Sequence, residues 1–351
     1  MKKGNQVVIY GSYGYTGSLI VERCKEQQLN IILAGRNEDK LKAQSKTSGY
    51  PYQTVEIKET EKLVNLLNPA TLVIHCGGPF MFTSRHMIEA CLKTGTHYTD
   101  ITGEIGVFEL LASYDLRAKE AGIMMLPGAG FDVVPSDCLA AHLKKRLPEA
   151  THLELAFATS GGGSSRGTSK TAIHGLGEGS LVRYQGKITK VPLHHGLKEI
   201  DFGKFKTISA RIPWGDVSTA YYSTGISNIE VYMGINKKIA RMIRLTRFFN
   251  WLLKQGWLKK FLLKKIDKTT GPQEDKRKTA KSYLVGSAWN DNQKIQTQLL
   301  TPNGYTLTAL SSVSIANKIL GGNFKTGFQT PSLAYGSDLI LEFEGVERID
   351  L

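Results

Sequence analysis

Three glycines spaced as Gly11-x-x-Gly14-x-x-Gly17 separate a short apolar run, Val7 to Tyr10, from a stretch of helical composition. A turn at that place can cradle a pyrophosphate. Gly11 permits the tight turn, Gly14 lets the backbone approach the phosphates, and Gly17 lets the following helix lie close to the strand. Ser12, Tyr13, Tyr15 and Thr16 complete the loop, and the helix start adds free N–H groups and a positive dipole end. The spacing departs from Gly-x-Gly-x-x-Gly, so a plain turn competes until the surroundings are read. Cofactor choice is written nineteen residues past Gly17, in Gly35-Arg36-Asn37. An acid there would hold the ribose 2′-hydroxyl of NAD, whereas arginine makes forked contacts to a 2′-phosphate. Arg36, with Asn37 beside it, points to NADP(H). Gly77-Gly78-Pro79-Phe80 offers a third element, small enough for close backbone approach, with a Gly-Pro turn as its bland equivalent.

Hydride chemistry also needs a proton donor near the reduced group. The stretch His97-Tyr98-Thr99-Asp100, followed by Gly103-Glu104, makes Tyr98, Asp100 and Glu104 the first candidates. The two acids serve equally well as helix caps or acceptors for loop N–H groups. Asp132 is a fourth candidate, and Ser136 reads as the N-cap of the next helix. His174 is a lone histidine, and His194-His195 lacks companions at metal-ligand spacing. No metal site is expected. The scattered Cys24, Cys76, Cys91 and Cys138 read as free thiols of a reducing compartment.

The elements that must position these residues follow an alternating strand-helix pattern over the first 130 residues. Six strands are predicted: Gln6–Tyr10, Ile31–Ala34, Tyr52–Ile57, Thr71–His75, Thr96–Asp100 and Ile123–Leu126. Helices are expected over Ser18–Gln27, Asp39–Ser45, Thr60–Leu67, Ser84–Lys93 and Phe108–Ala121. This is the signature of an α/β Rossmann domain with a parallel sheet, and it demotes the plain-turn reading of the glycine loop. From Thr151 the texture changes. His152–Thr159 alternates, Gly161–Gly167 is a Gly/Ser loop, and Thr168–Gly177 has helical composition. Ile226–Met233 and Lys294–Leu300 read as strands, so residues 131–329 are expected to form an α+β domain with a mixed or antiparallel sheet. A helix within 330–351 is expected to pack back on the first domain.

Several stretches together resemble the saccharopine dehydrogenase-like oxidoreductases, in the branch related to trans-acting enoyl reductases. They are Tyr10–Gly17, Ala34–Asn37, Gly78–Phe80, Gly95–Glu104, Gly130–Asp137, Ser165–Thr168, Ile212–Val217 and Thr330–Gly336. The resemblance implies NADP(H) on the Rossmann domain and a second domain that covers the nicotinamide and contributes to a homodimer. It does not transfer a reaction, because no arginine cluster for substrate carboxylates accompanies these motifs. An NADP(H)-dependent reductase of a C=C, C=O or C=N bond in an apolar or lipid-like small molecule fits best. An amino-acid or polyamine imine reductase, and a non-catalytic NADP-binding protein at a membrane, remain open.

Charge distribution bears on partners. The 351-residue chain carries a formal net charge of +14, with 41% hydrophobic and 22% charged residues. Residues 237–268 hold eleven Lys/Arg and one acid, a net +10, so the remainder carries only +4. Basicity confined to one segment argues against a nucleic-acid surface. On a helical wheel Ile239, Met242, Leu245, Phe249, Leu252 and Leu253 share a face, opposite Lys237, Arg241, Arg244, Arg247 and Lys254. A second run, Trp257–Lys265, aligns Leu258, Phe261 and Leu262. Such a pair is too charged to span a bilayer but suits its interface. Three uses fit: peripheral membrane contact, a lid over a lipid-like substrate, or packing on the second domain with lysines in solvent. Thr269–Lys278 reads as a polar hinge. With no secretory or membrane-spanning signal, a cytoplasmic protein, peripheral at the membrane, is expected.

Overall fold

A computed structural model describes residues 4–160, 166–266 and 274–351. In chain order the first elements are β1 (Gln6–Tyr10), α1 (Tyr15–Glu26), β2 (Asn30–Gly35), α2 (Glu38–Ser48), β3 (Tyr52–Thr54), α3 (Thr60–Leu67) and β4 (Leu72–His75). Next come α4 (Ser84–Thr94), β5 (His97–Asp100), α5 (Ile105–Ser113), α6 (Asp115–Glu120), β6 (Met124–Leu126) and α7 (Val134–Arg146). The middle of the chain forms β7 (His152–Ser160), α8 (Arg166–His174), β8 (Ser180–Tyr184), β9 (Lys187–Val191), β10 (Leu197–Asp201) and β11 (Lys206–Arg211). It continues with α9 (Asp216–Thr224), β12 (Asn228–Gly234), α10 (Lys237–Leu253), α11 (Gly256–Ile266) and α12 (Glu274–Thr279). The last elements are β13 (Lys281–Trp289), β14 (Lys294–Pro302), α13 (Gly304–Leu320), β15 (Gly327–Phe328), α14 (Pro331–Tyr335) and β16 (Glu347–Asp350).

The chain divides into two compact units: residues 1–134 with 304–335, and residues 135–303 with 336–351. The first division therefore falls at Val134 rather than at residue 130. The expected C-terminal return also splits. Residues 330–335 join the first unit, as do residues 304–329, which were expected in the second, and residues 336–351 join the second. The helix expected within 330–351 is instead the short α14 followed by a 3₁₀ turn at Leu339–Glu342.

The first unit holds a seven-stranded sheet in the order β15-β6-β5-β4-β1-β2-β3, with every pairing parallel. Its central strands are covered on both faces, which is why they read as continuous apolar runs. Val7, Val8, Ile9, Leu72, Val73 and Ile74 are all fully buried. Strand order reverses between β1 and β4, and ligands of such sheets bind outside the carboxyl ends at that switch. The helix expected over Phe108–Ala121 breaks at Tyr114 into α5 and α6. Asp115, at the start of α6, accepts from the Phe328 N–H at 2.9 Å and so ties the break to β15.

The second unit holds a nine-stranded mixed sheet whose main path is β10-β11-β12-β7-β13-β14-β16, with the β8–β9 hairpin on β12. Only β7 and β12 run parallel among the described pairings. One face packs on α7: a Cβ on Gly286 would lie 2.6 Å from Leu143 and 3.1 Å from Leu139. The other face buries Ala156, Ala158, Tyr232 and Val285 against Ile200 and Phe202. Ser136 lies inside the first turn of α7 and is buried, so it is not the N-cap that its residue type suggested. The Gly/Ser loop residues 161–165 and the hinge residues 269–273 lie outside the described residues.

Close packing of α1 on the turn before it is a constraint that substitution exposes directly. A Cβ on Gly17 would sit 2.4 Å from the Gly11 carbonyl oxygen and 2.9 Å from that of Ser12. Both obstacles are backbone. Gly17→Ala should lower stability by about 1–3 kcal/mol, the ordinary cost of overpacking. Urea denaturation of the two proteins measures it, and equal stabilities would mean that the helix moves away freely.

Candidate active site

The glycine loop is built by close approach at the β1–β4 switch. Gly11 adopts φ +83°, and a Cβ there would meet Gly77 N at 2.9 Å. The loop after β4 thus lies directly against the loop after β1, and only a side-chain-free residue allows it. The Gly11 N–H donates to Ala34 O at 2.7 Å, and Gly14 N–H donates to Gly11 O at 3.0 Å. Tyr15, Thr16 and Gly17 form the first turn of α1, so Gly14 stands at its N-cap. Ser12 departs from expectation. It is fully buried, and its hydroxyl donates to Gln44 Oε1 at 2.7 Å while Gln44 Nε2 donates back to Ser12 O at 2.9 Å. Its side chain therefore fastens the loop to α2, leaving the backbone and the helix start to face phosphate.

Beside the loop, the β2–α2 turn gathers the specificity residues. A Cβ on Gly35 would meet the Tyr13 ring at 2.7 Å, and the Asn37 N–H donates to the Tyr13 hydroxyl at 3.3 Å. Asn37 caps α2 by accepting from Lys40 N–H at 2.9 Å. Lys40 Nζ lies 5.7 Å from the Tyr13 ring centre. Arg36 is exposed in this turn. A fixed tyrosine face with Arg36 and Lys40 close by fits an adenosine carrying a 2′-phosphate, and Lys40 was not singled out from sequence. NADP(H) fits both parts of the cradle: glycines whose Cβ atoms would block it, and cations for the extra phosphate.

Along the carboxyl edge, the candidate acids separate by environment. Tyr98 and Asp100 are fully buried and bonded to each other, Tyr98 Oη donating to Asp100 Oδ2 at 2.6 Å. Asp100 Oδ1 also accepts from Thr102 N–H at 3.0 Å and Gly128 N–H at 2.8 Å. Burial pushes the Asp100 carboxyl up to about 6 against these hydrogen bonds, which pull it down. Burial, reinforced by the Asp100 charge, pushes the Tyr98 hydroxyl well up. This pair braces the loops after β5 and β6 and presents no atom to a substrate.

Glu104 plays a second structural part. Its two oxygens accept from Phe80 N–H at 2.9 Å and Met81 N–H at 2.8 Å. It thereby holds the Gly77-Gly78-Pro79-Phe80 loop from the neighbouring strand end. Under that loop His75 is enclosed by Tyr10, Phe80 and Tyr98, with Nε2 2.9 Å from Thr83 Oγ1. Burial lowers its pKa to about 3, so His75 is a neutral spacer. Asp100 and Glu104 thus both take the loop-holding part that stood as the alternative to acid chemistry.

Asp132 is different. It is half-buried, and its carboxylate packs on Gly103, where a Cβ would come within 2.8 Å of Oδ2. Burial alone pushes its pKa up to about 7. Its backbone frame is tied on every side. Phe131 N–H donates to Thr308 Oγ1 at 2.9 Å, Val134 N–H donates to Gly130 O at 2.9 Å, and Ser311 Oγ donates to Ala129 O at 2.6 Å. Thr308 and Ser311 lie on α13, which also contributes Tyr305, its ring centre 4.9 Å from that of Tyr15 at the glycine loop in an edge-to-face pair. These α13 residues escaped the sequence reading because more than 170 positions separate them from the loop they hold. A continuous series of contacts thus runs along the edge: Gly11 to Gly77, Phe80 to Glu104, and Gly103 to Asp132.

Comparison with known proteins agrees with this geometry. Residues 7–126 match the family model described as the saccharopine dehydrogenase NADP binding domain. A saccharopine dehydrogenase-like oxidoreductase of Rattus norvegicus is 29% identical over 216 residues, 54% of this chain and 50% of that protein. A trans-acting enoyl reductase of Mycobacterium ulcerans is 29% identical over 159 residues, 43% of this chain and 38% of its own. The chain thus spans half or less of the length of these relatives. Apo saccharopine dehydrogenase (L-Glu forming) from Saccharomyces cerevisiae superposes with a TM-score of 0.71 over 99% of this chain and 100% of that one, at 13% identity. That likeness shows the shared fold.

The expectation that Arg36 selects NADP(H) has a direct test. Replacing Arg36 with alanine should weaken NADPH about 10- to 100-fold, the loss of one charge-assisted contact to phosphate, and leave NADH nearly unchanged. Fluorescence titrations of both nucleotides measure this. Tighter binding of NADH than NADPH by the unaltered protein would refute the assignment.

Proposed function

With residues 7–126 a saccharopine dehydrogenase NADP-binding domain, we propose that the protein is an NADP(H)-dependent reductase in which Asp132 is the proton donor. The observation that carries the reading is the run of edge contacts that begins at the phosphate loop and ends at the desolvated carboxyl of the half-buried Asp132. The bound dinucleotide, when reduced, supplies the hydride. The chain's residues do the rest. The glycine loop and Arg36 fix the two phosphate ends, and Glu104 fixes the Gly77–Phe80 loop beside them. Asp132 then holds a proton at neutral pH and gives it to the substrate atom left electron-rich. A carboxyl with a pKa near the working pH is suited to this, because it is protonated when needed and still a competent acid.

The substrate class we infer is an apolar molecule with a polarised C=C, C=O or C=N bond. Two features support it. A relative matched over 159 residues bears the name trans-acting enoyl reductase, and the second unit presents an apolar helical face to solvent. A protein that binds NADPH and turns over no member of an enone, ketone and imine panel would refute the reductase reading.

The proton donor has its own test. On a substrate from that panel, kcat in the reductive direction should fall as pH rises through about 7, where Asp132 loses its proton. Asp132→Asn should lower kcat about 10²- to 10⁴-fold and remove that limb. Stability supplies a readout independent of turnover. The native Asp132 keeps its proton where an unfolded aspartate has lost it. Its contribution is therefore full below the unfolded pKa and is lost as pH rises toward about 7. Asp132→Asn should flatten that part of the pH–stability curve. A parallel curve in both proteins would place the carboxyl in water and end its candidacy.

A further inference from the structure

The helices α10 and α11 are attached to the second unit by the wrong side for an ordinary surface helix. Ala240 is 1% exposed and sits with Ala210 and Ile235, with Ile243, Leu197, Ile208 and Met233 packed around them. The small side of α10 therefore faces the fold. Its larger apolar residues face outward: Ile239, Met242 and Leu245 are 43%, 60% and 49% exposed. Trp251 lies 64% exposed at the end of α10, and Trp257 and Phe261 of α11 are 63% and 54% exposed. Six of the largest exposed apolar side chains of the described residues thus fall within one pair of consecutive helices. The pair packs on the second unit with its lysines in solvent and still turns these apolar side chains outward.

Charge accompanies the stripe. From Lys237 to Ile266 the chain has ten Lys/Arg and no acid. Lys237, Lys238, Arg241, Arg244, Lys260, Lys264 and Lys265 are exposed beside the apolar residues. Lys265 Nζ lies 5.6 Å from the Phe261 ring centre. Elsewhere α11 is anchored: Lys259 Nζ donates to His174 O at 3.0 Å. No helix among the described residues is long and apolar enough to cross a membrane.

We propose that the outward face of α10 and α11 docks the protein on an anionic phospholipid surface. The apolar residues enter the headgroup–acyl boundary, the tryptophans take the interfacial level suited to their rings, and the basic side chains meet lipid phosphates. Complementary charge selects this occupant over a second copy of the chain, whose same face would bring ten like charges against ten. Each basic side chain near such a surface strengthens binding by about fivefold, so the attraction is steeply dependent on salt and lipid charge. The inference stands on these two helices and not on the reductase reading, since docking is measured without turnover.

The test uses the full chain with vesicles of phosphatidylcholine, alone or mixed with phosphatidylglycerol, in flotation and tryptophan fluorescence. Binding should be at least about tenfold tighter to the anionic vesicles, weaken with added salt, and shift tryptophan emission to the blue. Arg241→Glu with Arg244→Glu, and separately Lys260→Glu with Lys264→Glu, should each lower affinity about tenfold or more. The milder Leu245→Ser and Phe261→Ser substitutions should remove most of the emission shift while circular dichroism and NADPH affinity stay unchanged. Equal binding to the two vesicle types, or charge-reversed variants that bind like the original, would overturn the proposal. So would a dimer that dissociates on Leu245→Ser in a protein that ignores vesicles.

Discussion

The carboxyl edge of the parallel sheet is governed by the need of its loop N–H groups for acceptors. Loops after β4, β5 and β6 must leave the ladder and turn within a few residues, and buried N–H groups without partners would cost more than the turns could return. Two carboxylates meet the demand. Asp100 takes the N–H groups of Thr102 and Gly128, and Glu104 takes those of Phe80 and Met81. Each binds its own loop or a neighbour's, so the edge becomes one braced rim. The oxygens of both acids are thus engaged in holding loops. Asp132, the acid left out of the bracing, is the one whose carboxyl is raised by burial without a compensating hydrogen bond.

The rim is completed from far along the chain. Helix α13 returns after the second sheet, packs on α1 and supplies hydroxyls that hold the loop carrying Asp132. Its buried surface includes Thr308, Ser311 and Ser312 beside Leu307, Val313 and Ile315. Those hydroxyls pair with the Phe131 N–H and the Ala129 carbonyl in the loop between β6 and α7. The site's rigidity therefore depends on the segment that follows the second sheet, and not only on the N-terminal third that carries the cofactor motifs.

That arrangement explains what could be read from sequence. Six strands of the first unit were legible because they are short, mostly buried runs bounded by turn residues and alternating with helices, whereas the two-residue β15 joins β6 from far along the chain and gave no such signal. The glycine loop was legible too: its function lies in backbone geometry that three glycines announce. Helix α13 was not legible, because its buried residues mix Ser, Thr and Ala with Leu307, Val313, Ile315 and Ile319, which gives little contrast between faces. The strands between Ser180 and Arg211 alternate between half-exposed positions, so their pattern is weak. The candidate acids looked alike in sequence. Only their partners, Tyr98 for one and the Phe80 and Met81 N–H groups for another, separate the two bracing acids from Asp132. The basic helices show the reverse lesson: a wheel finds the apolar stripe, but packing at Ala240 decides that it faces outward.

The account therefore turns on one carboxyl. Carbon-13 NMR titration of the Asp132 side chain, assigned by loss of its resonance in Asp132→Asn, observes the group itself with and without NADP⁺. The account predicts a midpoint near the value of about 7 that its burial imposes, in a protein that also binds the nucleotide. A midpoint in the ordinary aspartate range, about 4, would contradict it, since such a group would have no proton to give at neutral pH.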